Sequence, residues 1–176
     1  MIMSEIAVLG GGCFWCTESV FQSLRGVIDV TPGYSGGHVE NPSYEQVCAK
    51  DTGHIEVVRV EFDPAVIGFE TLLEVFFATH DPTTVDRQGA DVGPQYASAI
   101  FCQSPEQEVA ASRVIARIEA ETGVRIVTRL LGAERFWPAE NYHHDYYLRN
   151  PGQGYCQAVI APKLAKLRKR YAALLT

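Results

Sequence analysis

Hydrophobic positions fall along this chain in short blocks whose spacing switches between strand-like and helix-like. Ile6–Leu9 is an apolar run halted by Gly10, Gly11 and Gly12, and beyond it Phe14, Trp15, Val20, Phe21 and Leu24 mark a helix closed by Gly26. This predicts a strand, a glycine turn and a helix. Val27–Thr31 reads as a second strand, and GYSGGHVENPSYEQVC after it reads as a long loop, rich in turn formers but carrying Tyr34 and Tyr44. From His54 to Phe62 the residues alternate, with Val58, Val60 and Phe62 on one face and Arg59 and Glu61 on the other. Glu56 shares the face of the valines, although Ile55 and Val57 make the opposite side partly apolar as well.

Phe69–Thr79 carries the next helical pattern, His80–Gln95 is a polar loop, and Tyr96–Phe101 is a strand. A helix with well-marked ends follows, with Ser104 as N-cap, Pro105 at the first helical position, Gln107 completing a capping box and Gly123 as the stop. Ile126–Leu131 suggests another strand, Asn141–Leu148 a short helix, Gly154–Ala161 a strand or loop, and the remainder a C-terminal helix. The order β-α-β-β-α-β predicts an α/β (α+β) fold: a two-layer sandwich with a ferredoxin-like core, helices covering one face of a mixed sheet. A doubly wound parallel sheet is the alternative.

A chain of 176 residues suffices for one substantial core, and no break in composition divides it, so one domain spanning 1–176 is expected. With 47% hydrophobic and 20% charged residues and no apolar run of membrane-spanning length, a membrane protein is set aside. The start MIMSEIAVLGGG lacks the basic end and cleavage site of a secretory signal, which predicts a cytoplasmic protein. A net charge of -6 opposes nucleic-acid binding. The basic cluster KLAKLRKR at Lys163–Arg170 has Leu164 and Leu167 three apart and reads as the solvated face of an amphipathic helix.

The five cysteines, Cys13, Cys16, Cys48, Cys102 and Cys156, are an odd number in a chain without a signal, which favours reduced thiols over a disulfide framework. Cys13 follows three glycines at the first turn of a predicted helix, where unpaired N–H groups and the dipole stabilise an anion. Its thiol is therefore expected to titrate below about 8.5. Phe14 and Trp15, if they flank that sulfur, make an apolar recess for a methyl or thioether group. Cys16 completes C-x-x-C, which leaves open a thioredoxin-like dithiol or half of a zinc site; the latter has only Cys48 with His54 as an improvised second pair.

Glu56, at one end of an apolar strand face, is a candidate general acid because desolvation raises a carboxyl pKa and keeps its proton available. Tyr44, Tyr96 and Asp91 are ordinary loop or strand-edge residues taken alone. His143 and His144, among Tyr142, Tyr146 and Tyr147, are adjacent and cannot share a helix face, so a structural role is expected of them. Cys156 lies in NPGQGYC, whose Pro and Gly predict a mobile carrier suited to a resolving thiol.

Gly12-Cys13-Phe14-Trp15, with Glu18 shortly after, resembles the signature of the A-type peptide methionine sulfoxide reductases. The resemblance continues through GYSGG at Gly33–Gly37, NPSYEQVC at Asn41–Cys48, DTGHIEVVRVEFDP at Asp51–Pro64 and HDPTT at His80–Thr84. It extends to RQGADVGPQYASAI at Arg87–Ile100, AENYHHDYY at Ala139–Tyr147 and NPGQGYC at Asn150–Cys156. Nearly the whole chain is covered in order. The resemblance implies Cys13 as nucleophile, Phe14 and Trp15 around the substrate's S-methyl group, Glu56 as the acid that protonates the sulfoxide oxygen, and Tyr44 and Tyr96 as donors to that oxygen. It also implies pocket or site-adjacent roles for Asp91, His143 and Tyr155, and Cys156 as the resolving thiol.

The substrate so implied is the S epimer of methionine sulfoxide, free or in proteins, with thioredoxin as reductant and the protein acting as a monomer. Two departures stand out. No cysteine follows Cys156, which implies a single Cys13–Cys156 disulfide, and Cys16 occupies a position where many members carry a small residue. The chemistry is coherent in itself, because sulfoxide sulfur is electrophilic but its oxygen leaves poorly, so a thiolate and a proton must arrive together. No metal, flavin or nucleotide cofactor is called for. The competing readings are a general dithiol–disulfide oxidoreductase using Cys13 and Cys16 and a zinc-stabilised interaction domain.

Overall fold

In the computed structural model, which describes residues 3–176, the apolar runs become strands β1 (Glu5–Gly11), β2 (Val27–Ser35) and β3 (Ile55–Phe62), interleaved with helices α1 (Phe14–Gln22) and α2 (Tyr44–Cys48). Helix α3 (Phe69–Thr79) follows, then the two-residue strands β4 (Arg87–Gln88) and β5 (Asp91–Val92), strand β6 (Ser98–Cys102) and helix α4 (Pro105–Thr122). Strands β7 (Arg129–Gly132) and β8 (Phe136–Pro138) and helices α5 (Tyr146–Arg149) and α6 (Ala161–Arg170) complete the chain.

The main sheet has six strands in the order β7-β6-β1-β3-β2-β8. Its centre, β6-β1-β3-β2, is antiparallel throughout and has the ferredoxin-like order; β8 adds antiparallel to β2 and β7 parallel to β6. The expected sandwich is therefore present, and a doubly wound parallel sheet is not. Because successive strand residues face opposite ways, Ala7, Leu9, Val58, Val60 and Ile100 meet Phe21 of α1 and Leu72 and Phe76 of α3 in the main core. Val8, Ile55, Val57, Ala99 and Phe101 form a smaller cluster on the other face.

Several elements differ from expectation. Strand β2 continues past Pro32 and Gly33 to Ser35, because Gly33 lets β8 close in: a Cβ there would lie 2.4 Å from the Trp137 carbonyl. The stretch read as a loop holds α2, started by a complete capping box in which Ser43 and Gln46 bond each other's backbone N–H groups. At α4 the ends are as predicted, with Ser104 accepting from the Gln107 N–H and Gly123 left-handed. The Gln107 side chain, however, accepts from the Gln103 N–H and donates to the Ile6 carbonyl, which ties α4 to β1.

The short helix expected over Asn141–Leu148 is split into a 3-10 turn at Asn141–His143 and α5, with Asp145 at φ 55 between them. Gly154–Ala161, expected as strand or loop, is helical and includes a π turn at Cys156–Ile160 that runs into α6. Pro162 has no N–H to return to the carbonyl four residues earlier, which accounts for the widened turn just before it. No helix among the described residues is long and apolar enough to cross a membrane.

Candidate active site

Strands β1 and β2 end, and β3 and β6 begin, at one edge of the sheet, so antiparallel pairing gathers residues distant in sequence. Leu9 lies opposite Val58 and Tyr34 opposite Glu56, which brings the turn after β1 beside the start of β3. Gly12 makes that turn at φ +95, and a Cβ on it would meet Gln88 at 2.5 Å, so only glycine fits. Cys13 is thereby delivered to the N-cap of α1.

Glu56 is buried, and its Oε1 accepts a 3.2 Å bond from the Phe14 N–H, which anchors the first turn of α1 to β3. Its Oε2 has no partner among the described residues. Burial, reinforced by Asp91 and Cys16, pushes the carboxyl up to about 8 against the opposing pull of the Phe14 bond. At neutral pH it holds a proton and has a free oxygen. Burial and the Glu56 charge also push the hydroxyls of Tyr44 and Tyr96 up, and Cys13 acts on Tyr96 in the same way, so both stay protonated beside Glu56.

An aromatic cluster surrounds this edge. Phe14 is buried, with its ring centre 5.6 Å from Tyr34 and 5.0 Å from His143, and Trp15 stacks on Tyr146 at 3.8 Å. The Trp15 Nε1–H donates to His143 Nδ1 at 2.9 Å, which leaves the ring proton on an Nε2 that has no partner among the described residues. Burial holds His143 at about 4, hence neutral. This histidine orients the indole, a structural task.

Two carboxylates that the sequence did not single out as site residues organise the surroundings. Glu140 accepts from the Tyr34 hydroxyl at 3.0 Å, the Tyr44 N–H at 2.9 Å and the Tyr142 hydroxyl at 3.2 Å. Burial would raise its pKa, but the bonds from the Tyr44 N–H and the Tyr34 hydroxyl outweigh that and hold it below the ordinary value. Nothing in the local pattern announces Glu140. Replacement by alanine leaves three donors without their acceptor, so Glu140→Ala should cost about 1–2 kcal/mol in a denaturant melt and raise the substrate KM. A loss within 0.3 kcal/mol, on the order of surface substitutions, would remove it from this role.

Glu18 is buried and accepts the Asp145 N–H at 3.0 Å, which docks the start of α5 and with it Tyr146. Burial pushes it up to about 7. Its signal was readable: an ionisable residue four positions after Phe14 and three before Phe21 lies on the apolar helix face.

The expectation that Cys13 titrates low is corrected. Burial, the neighbouring Cys16 and the Glu56 charge push its thiol well above the ordinary value, and only the Trp15 N–H pulls the other way. Cys16 instead comes down to about 7, first through hydrogen bonding with Cys13, then with help from Lys163 and Tyr155 against the cost of burial. Ionisation of the C-x-x-C pair therefore begins at Cys16, near neutral pH, while Cys13 keeps its proton. The Tyr155 hydroxyl lies 3.5 Å from the Cys16 sulfur and donates to Asp91 at 2.8 Å. Cys13, Cys16, Asp91, Tyr155, His80 and Lys163 all face a cavity of about 690 Å³.

Cys156 also departs from expectation. It is fully buried at the start of the π turn, packed with Cys16 and Ile160, rather than carried on an open loop. All five cysteines are free. His54 has both ring nitrogens engaged, Nδ1 accepting from the Gly37 N–H and Nε2 bonded to the Val39 carbonyl, so it cannot join Cys48 as a zinc ligand. No cluster of three or more metal-ligating side chains occurs among the described residues.

The sequence model of the peptide methionine sulfoxide reductase family matches residues 5–174. A peptide methionine sulfoxide reductase MsrA of Chromobacterium violaceum is 57% identical over 173 residues, covering 97% of this chain and 98% of that protein. Among solved structures, reduced Mxr1 of Saccharomyces cerevisiae superposes with a TM-score of 0.80 at 32% identity, covering 87% of this chain and 89% of that one. Methionine sulfoxide reductase A of Corynebacterium diphtheriae superposes with a TM-score of 0.77 at 35% identity, covering 88% of this chain and 78% of that one. Agreement in sequence over nearly the full length, together with the same fold, means that the chain belongs to the peptide methionine sulfoxide reductase family, A type, and is an oxidoreductase that reduces methionine sulfoxide.

Proposed function

We propose that reduction proceeds by attack of Cys13 on the sulfoxide sulfur while Glu56 protonates the oxygen, with the Tyr44 and Tyr96 hydroxyls donating to that same oxygen. The observation that carries this reading is Glu56 itself: a buried carboxyl, protonated at neutral pH, with one oxygen unpartnered, bonded to the residue after Cys13. The Cys16 thiolate, which forms first, takes the Cys13 proton as substrate arrives and leaves Cys13 as the nucleophile. Phe14 and Trp15 enclose the S-methyl group, held by His143, while Asp91 and Tyr155 line the approach. Collapse breaks the sulfur–oxygen bond, releases methionine and leaves a sulfenic acid on Cys13.

Cys156 then takes part in a disulfide with Cys13 that an external dithiol, thioredoxin, reduces. The π turn that carries Cys156, with Gly152 and Gly154 just before it, is a weak helical segment that opens at modest cost. The substrate is the S epimer, free or within proteins. The chain acts as one catalytic domain over 1–176, as a monomer, in the reducing cytoplasm, where five free thiols are at home.

A turnover assay on the separated sulfoxide epimers tests this reading, run on the parent protein and on Cys156→Ser. With dithiothreitol the parent should release methionine from the S epimer alone. Without added thiol, Cys156→Ser should release about one equivalent, and thioredoxin should not sustain further cycles. Turnover of the R epimer would overturn the stereochemical assignment, and full thioredoxin-dependent cycling in Cys156→Ser would overturn the relay.

A further inference from the structure

We infer that Glu18 is a positioning residue for the sulfoxide pocket. Through Asp145 it holds Tyr146 flat against Trp15 and so fixes the indole wall around the substrate's methyl group, a role that rests on the reading of Trp15 given above.

Trp15, Glu18 and Gln22 stand three and four residues apart, so α1 presents them as one stripe. All three grip the same short segment. Glu18 Oε2 accepts the Asp145 N–H at 3.0 Å, Gln22 Nε2 donates to Asp145 Oδ1 at 2.6 Å, and the Trp15 ring lies 3.8 Å from that of Tyr146 with the planes 5° apart. On the other side of Asp145, His143 Nδ1 accepts from the Trp15 Nε1–H. The indole is thus held at its edge by His143 and on one face by Tyr146. Trp15 is only half-buried, so part of the ring stays open to a substrate.

Asp145 is the joint of this clasp. Its backbone is left-handed at φ 55, a conformation that a residue with a side chain keeps only when its surroundings hold it. That joint ends the 3-10 turn and starts α5 at Tyr146. Glu18 fixes its N–H and Gln22 its side chain, so the direction in which Tyr146 leaves the turn is set from α1.

The burial of Glu18 points to orientation rather than stability. It is 1% exposed on a face shared with the buried rings of Phe14 and Phe21, and its Oε1 has no partner among the described residues. A half-satisfied carboxyl there costs stability relative to an apolar side chain of similar volume, but no apolar side chain can hold the Asp145 N–H. Oε2 accepts that bond whether the carboxyl is charged or neutral, so the acceptor oxygen is what the pocket requires. The S-methyl group makes and breaks no bond during reduction, so a looser wall weakens binding of substrate and transition state alike.

The test is a burst titration without reductant, in which the rate of the first methionine release from an S-sulfoxide peptide is measured against peptide concentration. In Glu18→Ala the half-saturating concentration should rise about tenfold while the plateau rate stays within about twofold of the parent. Glu18→Gln keeps the acceptor oxygen and should bring the half-saturating concentration back to within about twofold of the parent. Tyr146→Leu leaves Glu18 in place and removes the ring; it should reproduce the Glu18→Ala shift, and it carries the test if Glu18→Ala does not fold. In a Trp137→Phe background Trp15 is the sole indole, and acrylamide should quench its fluorescence more readily in Glu18→Ala than in Glu18→Gln. A carboxyl that served stability alone would leave both the half-saturation of the folded protein and this quenching unmoved. An unshifted Glu18→Ala or Tyr146→Leu, or a Glu18→Gln as impaired as Glu18→Ala, would overturn the link. Trp15→Ala, run alongside, separates the two levels: a shift there alone sinks only the role of Glu18, whereas no shift there sinks the methyl-pocket reading as well.

Discussion

Replacing Cys13 with serine should lower methionine release by about 10⁴-fold or more while leaving the fold intact. A serine hydroxyl is hardly ionised at neutral pH, and no stable product forms when oxygen is transferred to it, so both the attack and the acceptor are lost. Cys13 is half-buried at the edge of the Cys16–Cys156–Ile160 cluster, and serine nearly matches its size, so the change in stability should stay within about 1 kcal/mol in denaturant. The loss should be the same with thioredoxin or with excess dithiothreitol, because it falls before the relay. Residual turnover above about 10⁻² of the parent, with dithiothreitol present, would hand the nucleophilic role to Cys16 and restore the dithiol reading.

Glu56→Gln should slow turnover by roughly 10²–10⁴-fold, because glutamine fills the space but has no acidic proton to give the leaving oxygen. The parent's kcat/KM should rise as the cysteine pair ionises near 7 and fall as Glu56 loses its proton near 8. In Glu56→Gln the alkaline fall should vanish. A variant that keeps both limbs of the profile would remove Glu56 from the acid role.

The same carboxyl makes a stability prediction of opposite sign. Its folded pKa of about 8 lies above the ordinary 4.5, so between these values the folded state binds more protons than the unfolded. Stability is therefore highest below the lower value and is lost as pH rises through the higher one. By pH 9 the loss should approach roughly 4 kcal/mol, and Glu56→Gln, which never ionises, should be the more stable protein there. Denaturant melts of both proteins from pH 5 to 9 measure this directly.

Much of this arrangement was legible in the chain alone. The alternation over His54–Phe62 put Glu56 on the core face, and three glycines before a helical pattern put Cys13 at a helix start; both are local features read over about ten residues. The bounds of α3 and α4 followed in the same way from periodicity and caps. Ser43 and Gln46 carried a capping box of equal strength, and α2 was hidden only by the surrounding turn residues.

What the tertiary structure alone decided is how charge and proton are shared. The Phe14–Glu56 bond spans 42 positions and exists because β1 and β3 pair. Glu140 gathers the Tyr34 hydroxyl and the Tyr44 N–H from 106 and 96 positions away. The helix-start argument gave the wrong direction for Cys13, since it counted the dipole of one helix and omitted burial by neighbours that arrive from elsewhere. The Pro- and Gly-rich stretch before Cys156 looked open, yet packing against Cys16 and Ile160 winds it into a helix. Periodicity and caps act between near neighbours and so leave their mark in the sequence, whereas desolvation and charge coupling are sums over everything within a few ångströms, which only the folded chain brings together.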